Sequence, residues 1–199
     1  MRRAHPLPDH PEFSVIEHPS CREFRVENWR LARDGSRKVI HNARWSWLDA
    51  LLPVVIAVIW PQITNDRLSA GLCAALVILY VYFKCTTVLW ESVIAIPSLG
   101  IQLETHRGLP GFPLTCSRNF IPVAFLQDFI INEGLRRWNV HYYIAAIKKQ
   151  DQSVTLHVAF ESILPYFAVL YEVYHGVHEV MFEHISDESP TGNREDNTA

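Results

Sequence analysis

Several signatures of catalysis are missing from this chain of 199 residues. It has no Gly-x-Gly-x-x-Gly or Walker sequence to cradle phosphates, no Asp-x-Asp pair to hold a metal against a sugar nucleotide, and no glutamate pair with seven residues between. The net charge is only -3, so the composition gives no footprint of nucleic-acid binding. The sequence therefore predicts no catalytic residue, no cofactor and no metal ligand, and no nucleic-acid partner.

Cysteine is also scarce, and its spacing excludes a disulfide framework. The four cysteines are Cys21, Cys73, Cys85 and Cys116, and none forms a closely spaced pair. This usage favours a reduced protein that faces the cytosol. The N-terminus lacks an apolar h-region, so we expect no cleavable signal peptide.

Charge is absent from two consecutive apolar segments. Ala50 to Asn65 and Leu68 to Phe83 contain sixteen uncharged residues each, and only Asp66 and Arg67 separate them. As a helix each stretch would be about 24 Å long, against a hydrocarbon core of about 30 Å. Tryptophan and tyrosine residues flank both segments, as is typical of membrane interfaces. These features predict a membrane hairpin of two short helices over residues 45–86, with a soluble helical hairpin as the alternative.

Cationic residues are concentrated before the first apolar segment. Seven arginines and lysines lie between Arg22 and Arg44, whereas the link between the apolar segments holds only Arg67. The positive-inside bias therefore predicts that both termini, including the N-terminal segment 1–44, are cytosolic.

Outside the apolar segments the residue pattern predicts strands followed by one helix. Residues 22–27 and 154–160 alternate between apolar and polar side chains, as half-buried strands do. Apolar residues then recur at helical spacing from Ser162, a candidate N-cap, to Met181. The predicted fold class is α+β: an antiparallel β domain at 87–185 closed by a C-terminal helix, with two N-terminal strands as candidates to complete the sheet. Residues 186–199 are almost devoid of apolar side chains and are predicted to be disordered.

Two weak constellations leave alternatives open. His175 and His178 would share a helix face, with His184 beyond, and could hold a metal. The favoured interpretation is that these histidines lie on a solvated helix face. Asp128 and Glu133 could act as paired carboxylates in acid–base chemistry. A salt bridge or a turn cap is the favoured reading of that pair.

Four basic residues flank the predicted strand 142–147. They are Arg136, Arg137, Lys148 and Lys149. Gathered at one sheet edge they could contact an anionic lipid headgroup, each charge near a membrane being worth about 1 kcal/mol. Solubilising charge at strand ends is the favoured alternative.

Two ordered segments resemble the PIG-H family. The first is Leu89-Trp-Glu-Ser-Val-Ile-Ala-Ile-Pro-Ser-Leu-Gly-Ile-Gln-Leu. The second is Arg118-Asn-Phe-Ile-Pro-Val-Ala-Phe-Leu-Gln-Asp-Phe-Ile-Ile-Asn-Glu-Gly-Leu, which is similar to the family's Phe-Ile-Pro and Asp-x-x-Ile-Asn-Glu signature. The resemblance covers about residues 88–182.

The resemblance implies a non-catalytic subunit of the endoplasmic-reticulum complex that transfers GlcNAc from UDP-GlcNAc to phosphatidylinositol, the first step of GPI-anchor synthesis. It implies a pleckstrin-homology-like domain on the cytosolic side of the membrane, with no activity alone. The implied partners are a catalytic glycosyltransferase subunit of PIG-A type, other membrane subunits and membrane lipids. The positions that match family motifs are carried over as structural or interface residues: Glu91, Ser92, Gly100, Gln102, Phe120, Ile121, Pro122, Asp128, Asn132 and Glu133.

Overall fold

Antiparallel strands dominate the computed structural model of the protein. It describes residues 1–31, 39–41, 51, 53–54, 56–58, 67–109, 111–136, 138–150 and 153–182. The strands are β1 (Arg2–Ala4), β2 (Phe13–Glu17), β3 (Arg22–Glu27), β4 (Trp29–Leu31), β5 (Val39–His41), β6 (Val88–Ile96), β7 (Gly100–Leu109), β8 (Phe112–Pro122), β9 (Leu126–Arg136), β10 (Asn139–Gln150) and β11 (Ser153–Ala159). Two helices have described bounds, α1 (Arg67–Cys85) and α2 (Phe167–Met181), and residues 51, 53–54 and 56–58 are helical as well.

The main sheet combines three N-terminal strands with three strands that follow helix α1 in the chain. Its strand order is β1-β2-β3-β6-β7-β8, and β3 runs antiparallel to β6 with Arg25 opposite Ser92. A second sheet has the order β11-β10-β9, and β4 pairs with β5. The three strands that end at Glu27 therefore share one sheet with strands that follow residue 87.

The core lies on one face of the main sheet because apolar residues occupy alternate positions along its strands. Four neighbouring strands each contribute one side chain that is at most 2% exposed: Phe24, Val93, Ile101 and Ile121. Burying one such side chain is worth about 1.5–3 kcal/mol. The alternation seen in the sequence therefore decides which face of the sheet points inward.

Helix α2 closes this core. It contacts β6, β9 and β10, and its buried residues recur every three or four positions, as an amphipathic helix requires. The N-cap is Tyr166 rather than the predicted Ser162. Leu164 has a φ of 49°, and Pro165 follows it, so the chain turns before the helix can begin.

The predicted membrane hairpin is wrong. Within the described ranges, no helix combines the length and the apolar character needed to cross a bilayer. Helix α1 contains the second apolar segment, but only sixteen residues separate the charges of Arg67 and Lys84. That stretch is about 24 Å long, which is short of the bilayer's hydrocarbon core of about 30 Å. Most of the first apolar segment lies outside the described residues.

The predicted fold class, a pleckstrin-homology-like domain interrupted by a membrane hairpin, is therefore corrected. The structure has mostly antiparallel sheet, arranged as six strands in one sheet and three in another, with α2 packed against both. This arrangement supports neither the membrane-helix assignment nor the pleckstrin-homology-like assignment. The predicted disordered tail, 186–199, and the boundary at 44 lie outside the described residues.

Candidate functional site

The face of the main sheet opposite the core carries a polar network. Because side chains alternate along a strand, Arg25, Ser92, Glu104 and Arg118 lie in one row across β3, β6, β7 and β8. We call this surface the polar face; its residues on the four strands are Glu23, Arg25, Glu27, Trp90, Ser92, Ile94, Gln102, Glu104, His106, Cys116, Arg118 and Phe120. It is partly enclosed, since Ser92 is 2% exposed and Glu104 is 9% exposed.

Glu104 is the centre of the polar face. Its Oε1 accepts hydrogen bonds from Gln102 Nε2 at 2.6 Å and from Arg118 Nε at 2.8 Å. Its Oε2 lies 2.9 Å from His106 Nε2. Burial raises the pKa of Glu104, but the hydrogen bonds from His106 and Gln102 and the charge of Arg118 outweigh it, so the pKa is lowered overall. Glu104 is therefore held as a carboxylate.

An aromatic stack positions the histidine. The rings of His106 and Trp90 are 4.5 Å apart at an interplanar angle of 18°. The Arg25 guanidinium carbon lies 5.3 Å from the centroid of the same Trp90 ring. On the other side, Cys116 Sγ lies 3.4 Å from His106 Nε2. A carboxylate, an imidazole and a thiol thus meet at one point on β7 and β8.

Glu91 lies on the core face of the sheet, and its contacts hold parts of the fold together. Its carboxylate accepts hydrogen bonds from the backbone N–H groups of Ser162 at 3.3 Å and Ile163 at 3.2 Å, and from Thr105 Oγ1 at 3.3 Å. Burial raises the pKa of Glu91, and these hydrogen bonds only partly oppose that rise. Glu91 therefore ties β6 to the turn that precedes α2.

The predicted positions around residues 100 and 121 form the junction of β7 and β8. Gly100 has a φ of 146°, and a Cβ added there would overlap the carbonyl oxygen of Ile121. Ile121 is fully buried, whereas Phe120 is 44% exposed at the edge of the polar face. Pro122 pairs with Gly100 at the end of the ladder. The structure thus places Ser92, Gln102 and Phe120 on the polar face, and Gly100, Ile121 and Pro122 in its framework.

Asp128, Asn132 and Glu133 belong to the second sheet. Asp128 Oδ1 accepts the Phe129 N–H at 2.7 Å, and Asn132 Oδ1 accepts the Glu133 N–H at 2.8 Å. A hydrogen bond to Glu133 raises the pKa of Tyr142. Asp128 and Glu133 are five residues apart on β9, about 17 Å and on opposite faces, so they do not form a carboxylate pair.

The described members of the basic set lie at opposite ends of the β9–β10 pairing. Arg136 pairs with Asn139 at the start of β10, whereas Lys148 and Lys149 lie at its other end. Nine residues of strand separate the two ends, about 30 Å. Arg137 lies outside the described residues. The headgroup contact therefore stays a prediction.

The two helical histidines have aromatic and backbone neighbours. His178 Nε2 lies 3.0 Å from the Phe129 carbonyl oxygen, and its ring is 4.2 Å from that of Tyr174. The His175 ring contacts Tyr171 edge to face at 4.4 Å. His184 lies outside the described residues. His178 therefore packs α2 against β9.

Sequence reasoning missed the cluster of Glu104, His106 and Cys116. The available signal was the sequence Glu-x-His, because residues two apart on a strand share a face. Cys116 joins them because Cys116 pairs with His106 across the β7–β8 hairpin.

An antiparallel β module closed by one helix, with a polar network on its outer sheet face, is the class of protein that these features define. Residues 92–161 match the family model described as GPI-GlcNAc transferase complex, PIG-H component. The matched segment begins in β6 and ends just after β11. The resemblance to the PIG-H family is confirmed over this segment.

A curated relative agrees with the family match. Over 85 residues the chain is 36% identical to the phosphatidylinositol N-acetylglucosaminyltransferase subunit gpi15 of Schizosaccharomyces pombe. The aligned part covers 42% of this chain and 49% of that protein, so the chain spans about half the length of the relative. No solved structure matches the chain.

Proposed function

We propose that the chain is an accessory subunit of the complex that transfers GlcNAc from UDP-GlcNAc to phosphatidylinositol, the first step of GPI-anchor synthesis. The observation that carries this proposal is the family match over residues 92–161. The relative in Schizosaccharomyces pombe is itself named as a subunit of that transferase. The site of action would be the cytosolic face of the endoplasmic reticulum.

The proposed role is to position a catalytic partner of PIG-A type, not to react with substrate. Most of the family-motif residues have contacts that build the sheets: Glu91 binds backbone N–H groups and Gly100 permits a close strand approach. Holding a catalytic subunit where lipid and sugar nucleotide meet raises the rate by proximity. The polar face, with Phe120 exposed at its edge, is the surface that we assign to this contact.

The direct test is to deplete the protein and to measure GlcNAc-phosphatidylinositol formation in microsomes with labelled UDP-GlcNAc. We expect synthesis to be lost and to return when the wild-type chain is supplied again. Unchanged synthesis after complete depletion would refute the proposal.

A second experiment tests the contact itself. We expect affinity purification of the wild-type chain to recover a catalytic glycosyltransferase subunit, and Phe120→Asp to reduce that recovery. Leu135→Asp is a matched control, because Leu135 is 83% exposed and lies on β9 of the second sheet. Equal loss with both variants would argue against the polar face as the contact.

A further inference from the structure

Three side chains with different donor atoms converge on the polar face at β7 and β8. They are Glu104, His106 and Cys116, and one ligand atom from each lies within 4.8 Å of both others. His106 Nε2 is the middle atom, 2.9 Å from Glu104 Oε2 and 3.4 Å from Cys116 Sγ. We call this set the three-donor cluster.

We propose that the three-donor cluster binds a divalent transition-metal ion, and that Zn²⁺ is the ion it favours. Carboxylate, imidazole and thiolate are the three ligand types that zinc takes in proteins. With metal–ligand bonds of about 2.0–2.3 Å, tetrahedral ligand atoms lie roughly 3.3–3.6 Å apart. The two separations from His106 Nε2, 2.9 Å to Glu104 Oε2 and 3.4 Å to Cys116 Sγ, are near this range, and the ligand atoms of Glu104 and Cys116 lie within 4.8 Å of each other. Side-chain rotations that adjust these distances would admit the ion.

The carboxylate is oriented for this role by its other contacts. Gln102 and Arg118 both bind Oε1 of Glu104, which leaves Oε2 directed at the histidine. Hydrogen bonds from neighbouring residues to a metal-ligating side chain commonly fix its orientation. The Trp90 stack in turn fixes the plane of the His106 ring. Two of the three ligands are thus held in place before any ion binds.

Charge and access are also suitable. When the ion binds, the Cys116 thiol releases its proton to solvent, and the neutral imidazole takes the tautomer protonated at Nδ1, so that Nε2 gives up its hydrogen bond to Glu104 and presents its lone pair to the ion. The resulting thiolate and the Glu104 carboxylate neutralise the dication, while Arg118 keeps its ion pair with Oε1. Cys116 is exposed on β8, the edge strand of the main sheet. Three protein ligands leave the fourth position to water.

This inference does not depend on the proposed role in GPI-anchor synthesis, and its test has no readout of that activity. The full chain, reduced and freed of metal, is titrated with Co²⁺ and then with Zn²⁺. We expect a thiolate-to-cobalt charge-transfer band in the near ultraviolet, which Zn²⁺ abolishes by displacement. Absence of that band in the folded wild-type chain would overturn the proposal.

Variants identify the ligands. Cys116→Ser and His106→Ala should each weaken Co²⁺ and Zn²⁺ binding by at least about tenfold, the loss that even outer-shell partners cause. Gln102→Leu should weaken binding by about tenfold through the carboxylate orientation, with the cobalt band retained. Cys21→Ser is the matched control and should bind as the wild type does.

Because Cys116 is exposed, Cys116→Ser should fold even if the other variants fold poorly. Circular dichroism establishes that Cys116→Ser is folded before its metal affinity is read. A folded Cys116→Ser chain that retains wild-type affinity, or a cobalt band that Cys21→Ser removes instead, would contradict the assignment.

Discussion

The two faces of the main sheet are built from the same strands but are organised by different forces. On the core face, Phe24 and Val93 are a cross-strand pair with almost no exposure. On the polar face the next pair along is Arg25 and Ser92: Arg25 hydrogen-bonds to Glu23, and Ser92 lies opposite Glu104 in the strand pairing. Apolar packing is tolerant of exchange among similar side chains, whereas a hydrogen-bonded network requires particular atoms at particular distances.

The two faces therefore differ in what they contribute to stability and to function. Large losses of stability are expected on the core face, since a cavity forfeits both burial and packing contacts. Small losses of stability but specific chemical effects are expected on the polar face.

The largest effect is expected for Phe24→Ala. The Phe24 ring reaches Gly176 of α2, where an added Cβ would overlap it, so truncation opens a cavity between sheet and helix. We expect a loss of about 3–5 kcal/mol in the free energy of unfolding, measured by urea denaturation. Arg25→Ala, one residue along on the polar face, is the control, with an expected loss below about 1.5 kcal/mol. Equal losses would show that the two faces do not differ as described.

Gly100→Ala is expected to be the next most destabilising change. The φ of 146° is unfavourable for a residue with a Cβ, and that atom would also meet the backbone at Ile121. We expect a loss of at least about 2 kcal/mol, measured by thermal and urea denaturation. Gly71→Ala is the control: its Cβ would meet nothing within 4 Å in α1, and the change should stabilise by about 0.5–1 kcal/mol. A neutral result at Gly100 would contradict the close strand approach.

Glu91→Ala tests the buried carboxylate of the core face. Removing it leaves the Ser162 and Ile163 N–H groups without their acceptor, which should cost about 2 kcal/mol. Glu91→Gln should cost less, because the amide oxygen still accepts one bond and the raised pKa shows that burial disfavours the charge. Glu161→Ala, an exposed neighbour of the same turn, should be neutral. A loss for Gln as large as that for Ala would show that the charge itself is required.

Much of this fold could be predicted from the sequence because burial leaves a periodic trace. The alternation at 22–27 and at 154–160 and the helical spacing up to Met181 each correspond to an observed element. β8 is harder to predict, because its middle, from Thr115 to Asn119, is polar and exposed and shows no alternation of apolar residues. The membrane hairpin was predicted wrongly because the flanking aromatic residues were given more weight than the length of each run, about 24 Å against a hydrocarbon core of about 30 Å.

The polar face could be predicted less well for a topological reason. Glu104 and His106 share a face by strand geometry alone, but Cys116 joins them only through the hairpin register. The two glycines and two prolines between Gly108 and Pro113 favour a longer loop, which conceals that register. The hairpin is instead tight, with Leu109 paired to Phe112. A network that depends on cross-strand pairing leaves no periodic trace in a single strand.

The smallest predicted effect concerns pH and the carboxylate of Glu104. Its lowered folded-state pKa means that its contribution to stability is present above the unfolded value of about 4.3 and is lost as the pH falls through the folded value. Without metal, the wild type should exceed Glu104→Gln by about 1 kcal/mol at pH 7 and by much less at pH 3, measured by urea denaturation with a chelator present.

Glu27 is a second carboxylate whose titration also changes stability with pH, in the wild type and in Glu104→Gln alike. Burial raises its pKa, but hydrogen bonds from Trp29 and Arg3 outweigh that effect and lower it overall. Because Glu27 is present in both proteins, its titration cancels from the comparison. A difference that stayed constant from pH 7 to pH 3 would mean that Glu104 contributes by shape and not by charge. The polar face would then resemble the core face in its energetics, and the division between the two faces would fail.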